Sequence, residues 1–306
     1  SQTIQVTVTD VVTMVSVDNA SINENDDGAV VGTISSVIDD TAATDIFTYT
    51  LSGTDAASFE VVNGQVKLKD SVSANYETKN SYSVTVTATD SGGLTASQSF
   101  TVTVNNLNDA PTLANAIADQ SVDEDSAFSL TVPADTFNDV DATDTLAYTA
   151  TLSDSSALPS WLSFDASTQT FSGTPLNADV GAINVTVTAT DSAGVAISDT
   201  FTLTVANTND VPTGVALSAT AFDENDTGAT VGTLTTTDDD NIHGDTHTYA
   251  LSGSDADSFE IVNDQLKLLD SLRANYEVKN SYSVTVTTAD AAETSFNQVL
   301  TITIID

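Results

Sequence analysis

The sequence predicts an all-β chain built as three β-sandwiches in tandem, and three observations carry that prediction. The chain repeats itself at an offset of 200 residues: "ENDDGAVVGT" (24–33) returns as "ENDTGATVGT" (224–233), and residues 58–90 return as 258–290 without a gap. A third unit of related plan lies between them, because "VTVTATDSAGVAISDTFTLTVANTND" (185–210) echoes "VTVTATDSGGLTASQSFTVTVNNLND" (84–109). Inside every unit, runs such as "SYSVTVTAT", "SFTVTV" and "TFTLTV" alternate apolar and polar side chains, the pattern of strands buried on one face.

Taken in order, the opening "IQVTVTD" (4–10) resembles "FTVTVNN" (100–106) and "LTITIID" (300–306), both of which close a unit. Residues 1–10 therefore read as the last strand of a preceding repeat plus the start of a linker. Without its own sandwich such a strand is an orphan edge, expected to be mobile or borrowed by a neighbour. The three units follow as residues 11–107, 108–208 and 209–306. Asn63-Gly64, with Val62 before it and Gln65-Val66 after it, signals a hairpin. Clusters of Asp, Ser and Gly supply the other turns, and no segment carries a helical period with caps. About seven short strands in about 100 residues make a sandwich the default fold. Arrays of this period read as beads, each with its own core, rather than as a solenoid.

Charge narrows the function. Six Lys plus Arg stand against 44 Asp plus Glu, a formal net charge of −38. The cations are Lys67, Lys69, Lys79, Lys267, Arg273 and Lys279, so the stretch from Thr89 to Leu266 has none. Such a polyanion repels phosphate backbones and lacks the basic patch that nucleic acid or an anionic membrane needs. Its self-repulsion also calls for neutralising cations, from bound metal or from salt. With no Cys, thiolate nucleophiles, disulfides and Cys-ligated zinc are excluded. No window approaches the roughly 18 apolar residues of a membrane helix, and no charged head precedes an apolar core at the N-terminus. Neither membrane insertion nor a signal peptide is expected.

The acidic residues outside the strands recur at matching phase. One locus lies near each unit's start: Glu24, Glu124 and Glu224. A second is an early Asp pair: Asp39-Asp40, Asp139-Val-Asp141 and Asp238-Asp-Asp240. A third closes the penultimate long strand: Asp90, Asp191 and Asp290. The fourth is the seam between units: Asn106, Asn108 and Asp109, then Asn207, Asn209 and Asp210. Units one and three add Asn75-Tyr-Glu77 and Asn275-Tyr-Glu277. Any one of these reads as an ordinary turn residue. Their recurrence in three units reads as metal binding, and hard oxygen donors suit Ca2+, which takes six to eight of them.

In their order within each unit, "xEN", "DxD", "NYE", "ATDSGG" and "NxNDxP" resemble the calcium motifs of cadherin repeats in their bacterial form. The middle unit, with "LPSWLSFDASTQTFSGTP" (158–175), is similar to the dystroglycan-type cadherin-like variant. The resemblance covers essentially the whole chain and implies Ig-like Greek-key sandwiches in a linear array, with calcium between consecutive domains. Carried over, the first junction would use Glu24, Asn75 and Glu77, then Asn106, Asn108 and Asp109, then Asp139, Asp141 and Asp191. The second would use Glu124, then Asn207, Asn209 and Asp210, then Asp238, Asp240 and Asp290. The sequence departs from the family where Asn106 and Asn207 replace the linker's usual Asp, a neutral oxygen for a charged one. Unit two has no "NYE", Asp179 being its candidate substitute. At the opening end only Asp10 remains of the linker, and Ile38 stands where the pair's first Asp belongs. Glu224, Glu277 and Asp306 form a terminal half-site.

Rival signals are weaker. His243 and His247, in "DDDNIHGDTH", could form a zinc or nickel pair but read rather as an exposed, Asp-flanked loop. Trp161 reads as closing the sandwich core rather than as a sugar platform. No nucleophile elbow accompanies the histidines, so no enzyme is expected, and no unit begins near a Trp that could anchor strand exchange. The expectation is a calcium-rigidified extender or adhesion region of a bacterial cell-surface or secreted adhesin, with neighbouring repeats as its first partners. The alternative is a calcium-dependent module that binds polysaccharide or another copy of itself.

Overall fold

The computed structural model describes residues 2–4, 11–38, 46–141 and 144–306. Among these the chain is all-β, with four short 3-10 turns and no α-helix. By its internal contacts it divides into two compact units. One comprises Ser1–Thr112, Phe137–Ala147 and Thr190–Ile197, the other Leu113–Thr136, Tyr148–Ala189 and Ser198–Asp306. The division runs through the middle repeat, so each of the two seams, with the loops that face it, falls inside a single unit.

In the first unit, the strands Val12–Val17, Val30–Ile38, Gln65–Leu68 and Phe59–Val62 make one sheet in that order. Ser21–Asn23, Thr95–Asn105, Ser81–Thr89 and Thr48–Ser52 make the other. The alternation read in the sequence is realised: along Ser81–Thr89, Val84, Val86 and Ala88 are fully buried while the hydroxyls between them face outward. Thr85 pairs with Ser99 at 2.7 Å and Thr87 with Ser97 at 2.8 Å, a ladder of hydroxyls on the wet face. The facing sheet contributes Val31, Phe59, Val66 and Leu68 to the same core, each such side chain worth about 1.5–3 kcal/mol on burial. The hairpin falls at Asn63-Gly64, both with positive φ (52° and 76°), as a two-residue turn between twisted strands requires. Residues 2–4 lie outside any strand, and the remainder of the expected opening strand lies outside the described residues, as does Asp39-Asp40.

The second unit holds the third repeat, whose sheets have the same order: Gly214–Leu217, Thr230–Thr237, Gln265–Leu268, Phe259–Val262, and Ala221–Asp223, Ser295–Ile305, Ser281–Ala289, Thr248–Ser252. It also holds most of the middle repeat, where Gln120–Asp123 lies beside Ala196–Ala206 and the strands Phe128–Thr131, Thr170–Gly173 and Leu162–Asp165 form a three-stranded sheet. Trp161 is half-buried, and the fully buried places go instead to Phe171 and Phe201, whose centroids lie 5.7 Å apart. Gly173 is required here, because a Cβ would sit 1.9 Å from the Trp161 carbonyl oxygen.

Four lysines, in two matched pairs, have parallel duties in the first and third repeats. Lys79 bonds Asp55 and lies 4.8 Å above the Tyr82 ring, and Lys279 bonds Asp255 and lies 4.6 Å above Tyr282. Lys67 and Lys267 pair with Glu60 and Asp70, and with Glu260 and Asp270. These cations are thus engaged within repeats and not at the seam carboxylates.

Candidate metal centre

At the first seam, the strand Ser21–Asn23 ends by delivering Glu24 into the interior, 1% exposed. Its Oε2 accepts the Tyr76 amide at 2.8 Å and its Oε1 accepts the Leu107 amide at 2.7 Å. One carboxylate therefore ties the "NYE" turn to the linker. Asn75 caps that turn, accepting the Thr78 amide at 2.7 Å two residues before Glu77. Glu24, Glu77 and Asp109 bring carboxylate oxygens within 4.8 Å of one another. Burial, followed by the charges of Glu24 and Asp141, pushes the Glu77 carboxyl above its ordinary value. The Asp109 amide donates to Asp141 at 2.7 Å, and the Asn108 amide donates to Asp191 at 2.8 Å, which holds Asp191 below the usual carboxylate range.

A second cluster forms beside the first from Asp139, Asp144 and Asp191. Asp139 Oδ1 accepts the Asp141 amide at 3.0 Å, and Asp144 accepts the Ser192 hydroxyl at 2.7 Å. Asn106, Leu107, Asn108, Asp141 and Asp144 line a cleft of about 210 Å3. Asp144 was not foreseen. The spacing in "DVDATD" (139–144) carried the signal, since a third carboxylate three residues past the pair returns to the same loop face.

The second seam repeats this plan with substitutions. Glu124, also 1% exposed, accepts the Thr208 amide at 2.8 Å. It meets Asp210 and Asp240 in a carboxylate cluster. The Asp210 amide donates to Asp240 at 2.6 Å, the Asn207 amide to Asp240 at 2.9 Å, and the Asn209 amide to Asp290 at 2.9 Å. Burial, then the charges of Asp240, Asp125 and Asp239, raise Asp210 despite a bond from Asn177. For Asp290 burial pulls upward most, but bonds from Thr294 and Asn209 outweigh it and lower the carboxyl. Asn177 takes the part considered for Asp179: its amide lies 3.3 Å from Asp210, while Asp179 accepts the Leu176 amide of its own turn. Asp238 is not in the Glu124 cluster. It joins Asp245 and His247. Of the two histidines only His243 is exposed, and the His247 side chain is 8% exposed, so the exposed-loop reading holds for one of the pair. In the third repeat, Glu224, Glu277 and Asp306 also converge, with Glu224 accepting the Tyr276 amide at 2.8 Å.

Whether a dication fits is answered by the orphaned oxygens. Among the described residues, the buried side-chain oxygens or nitrogens without a hydrogen-bond partner are Asp109 Oδ2, Asp139 Oδ2, Asp144 Oδ2, Glu124 Oε2, Asn177 Oδ1, Asp245 Oδ2 and the Thr136 hydroxyl. All but the last belong to the seams. An unmet buried acceptor costs about 1–3 kcal/mol, and more when charged. Gathering them in two places, all oxygens and mostly anionic, suits a hard divalent ion.

Residues 18–105 match the family model of the cadherin domain, and residues 110–206 match that of the putative Ig domain. Among solved structures, mouse cadherin-23 EC22-24 is 17% identical, with 97% of this chain and 99% of that chain aligned at a TM-score of 0.66. In fold this chain is similar to tandem cadherin ectodomain repeats. Protocadherin gammaB7 EC3-6, solved as a cis-dimer, aligns over 96% of this chain and 73% of its own at 21% identity and a TM-score of 0.63. PcdhgB3 EC1-4 aligns over 94% and 73% at 19% identity and a TM-score of 0.59. No curated protein matches the chain. No helix among the described residues is long and apolar enough to cross a membrane.

Proposed function

We propose that these cadherin-like repeats, with boundaries near residues 11–107, 108–208 and 209–306, form a calcium-rigidified extender of a bacterial cell-surface or secreted adhesin. The middle repeat is read as the dystroglycan-type variant. The observation that carries this reading is the confinement of the orphaned buried acceptors, Thr136 aside, to the two seams. In it, Glu24, Glu77 and Asp109 hold one ion and Asp139, Asp144 and Asp191 another, with Glu124, Asp210 and Asp240 their counterpart at the second seam.

Calcium, when bound, supplies divalent charge and a demand for six to eight oxygens. The chain's own part is to bring the carboxylates together and hold them. Glu24 does so by accepting amides from both the turn and the linker. Asp141 and Asp240 do so by accepting the amides of Asp109 and Asp210. Asn108, Asn207 and Asn209 donate their amides to carboxylates, and the same amides turned over present their oxygens instead. Clustered anions then favour an ordered joint with the ion and repel one another without it.

Two measurements test this. Calorimetric titration of calcium into the chelator-treated chain is expected to show saturable binding. Stability should rise in step by about 2.7 kcal/mol at a hundredfold excess over Kd, seen as a higher melting temperature. Small-angle scattering should lose maximum dimension definition and gain flexibility on adding chelator. No heat of binding together with an unmoved melting curve would overturn the reading.

A further inference from the structure

The first seam's second cluster is built from oxygen alone, Asp139, Asp144 and Asp191, whereas its counterpart in the third repeat includes an imidazole. His247 Nε2 lies 3.0 Å from Asp238 Oδ2 and 3.8 Å from Asp245 Oδ2, and all three donor atoms fall within 4.8 Å of one another. The side chains are withdrawn from solvent: Asp238 is 0%, His247 8% and Asp245 12% exposed. Asp245 Oδ2 is one of the buried oxygens with no hydrogen-bond donor among the described residues, His247 Nε2 at 3.8 Å being too far to donate to it. A cleft of about 280 Å3 lined by Asn207, Asn209, Asp240, His243, Gly244 and Asp245 adjoins it, room for water to complete a coordination sphere.

We infer that Asp238, Asp245 and His247 form a site for a borderline dication of the zinc class, distinct in metal preference from the calcium sites. The physical reason is donor chemistry. Calcium takes oxygen and gains nothing from imidazole, while zinc, cobalt and nickel favour it. Donor separations of 3.0 and 3.8 Å bracket the roughly 3.3 Å edge of a tetrahedron with ligands about 2.0 Å from zinc. Two carboxylates and one imidazole leave a fourth position facing the cleft, as zinc sites with three protein ligands do. The competing arrangement is an Asp–His hydrogen bond with no ion, and it predicts no metal affinity that depends on His247.

The test uses the whole chain, freed of metal, titrated with Zn2+ by calorimetry in saturating calcium. One zinc-class site is expected in the parent, weakened about tenfold or more in His247→Ala and unchanged in His243→Ala. Cobalt serves as a second probe on the unmutated chain, so that misfolding of a variant decides nothing. Contact-shifted imidazole ring signals in the proton NMR spectrum are expected from one of the two histidines. Absence of zinc binding, equal affinity in His247→Ala, or a cobalt complex without shifted imidazole signals would each overturn the inference. Calcium binding intact beside any of these results leaves the calcium reading standing.

Discussion

The two seams share a plan but differ at the glutamate that anchors each. At the first, both oxygens of Glu24 are met, by Tyr76 and Leu107. At the second, Glu124 Oε1 is met by Thr208 while Oε2 has no partner among the described residues. The cause is traceable to sequence, because the middle repeat lacks the "NYE" turn whose amide serves Glu24. Asn177 fills part of the space but reaches Asp210 instead. A repeat that omits this turn thus leaves its anchoring glutamate with one unmet oxygen. The chain therefore holds Glu24 by both oxygens at the first seam and Glu124 by one at the second.

The largest effect that can break this comparison is on the paired glutamates. Glu24→Gln should destabilise the chain by about 1.5–3 kcal/mol even in chelator, since a charge-assisted acceptor is replaced by an amide that clashes with one of two donors. Glu124→Gln should be near neutral in chelator and destabilising only in calcium. Chemical denaturation with and without calcium reads both, and equal losses in chelator would erase the distinction. A smaller change is expected from Asn207→Asp. It restores the charge usual for the family and should raise calcium affinity several-fold, about 1 kcal/mol. It should also lower melting in chelator, because the bond to Asp240 is lost. Calorimetry and melting curves would separate the two directions.

Acid provides a control on whether the repeats flanking the seams are equivalent. Lys79 and then the Ser83 amide hold Asp55 below its ordinary 3.8, and Lys279 with Ser283 does the same for Asp255. A carboxyl lowered on folding stabilises above its ordinary value, and that contribution disappears as pH falls through the lower folded one. Asp55→Asn and Asp255→Asn should therefore destabilise alike at about pH 7 and converge with the parent near about pH 2. Unequal losses would locate part of the difference in the repeats and not the seams. The smallest effect lies at the hairpins. Asp264 has φ 60° where the first repeat has Gly64. Asp264→Gly should stabilise by about 0.5–1 kcal/mol, seen as a small rise in melting temperature.

Much of the fold is legible because strand alternation is local: a residue's neighbours two positions away state which face it occupies. The seam carboxylates are legible for a different reason, their return at matching phase in three repeats. Asp144, Asp245, Asn177 and the burial of His247 escaped because each belongs to a loop whose length differs between repeats. The 3-10 turn Asp239–His243 carries the chain around so that Asp245 and His247 meet Asp238. No phase comparison registers that. Size and an apolar setting likewise do not say which of several aromatics the core buries completely: Trp161 is half-buried, and Phe171 and Phe201 take the fully buried places.

The strand that ends each repeat lies parallel to a short strand near its beginning. Thr103 pairs with Ser21, Leu203 with Gln120, and Thr303 with Ala221. A chain under tension is pulled by its two ends, and parallel neighbours drawn in opposite directions are loaded in shear. Their hydrogen bonds must then yield together rather than unzip singly. Glu24, Glu124 and Glu224 follow directly on these short strands, so the residues that gather the seams also sit where each sandwich grips against being drawn apart.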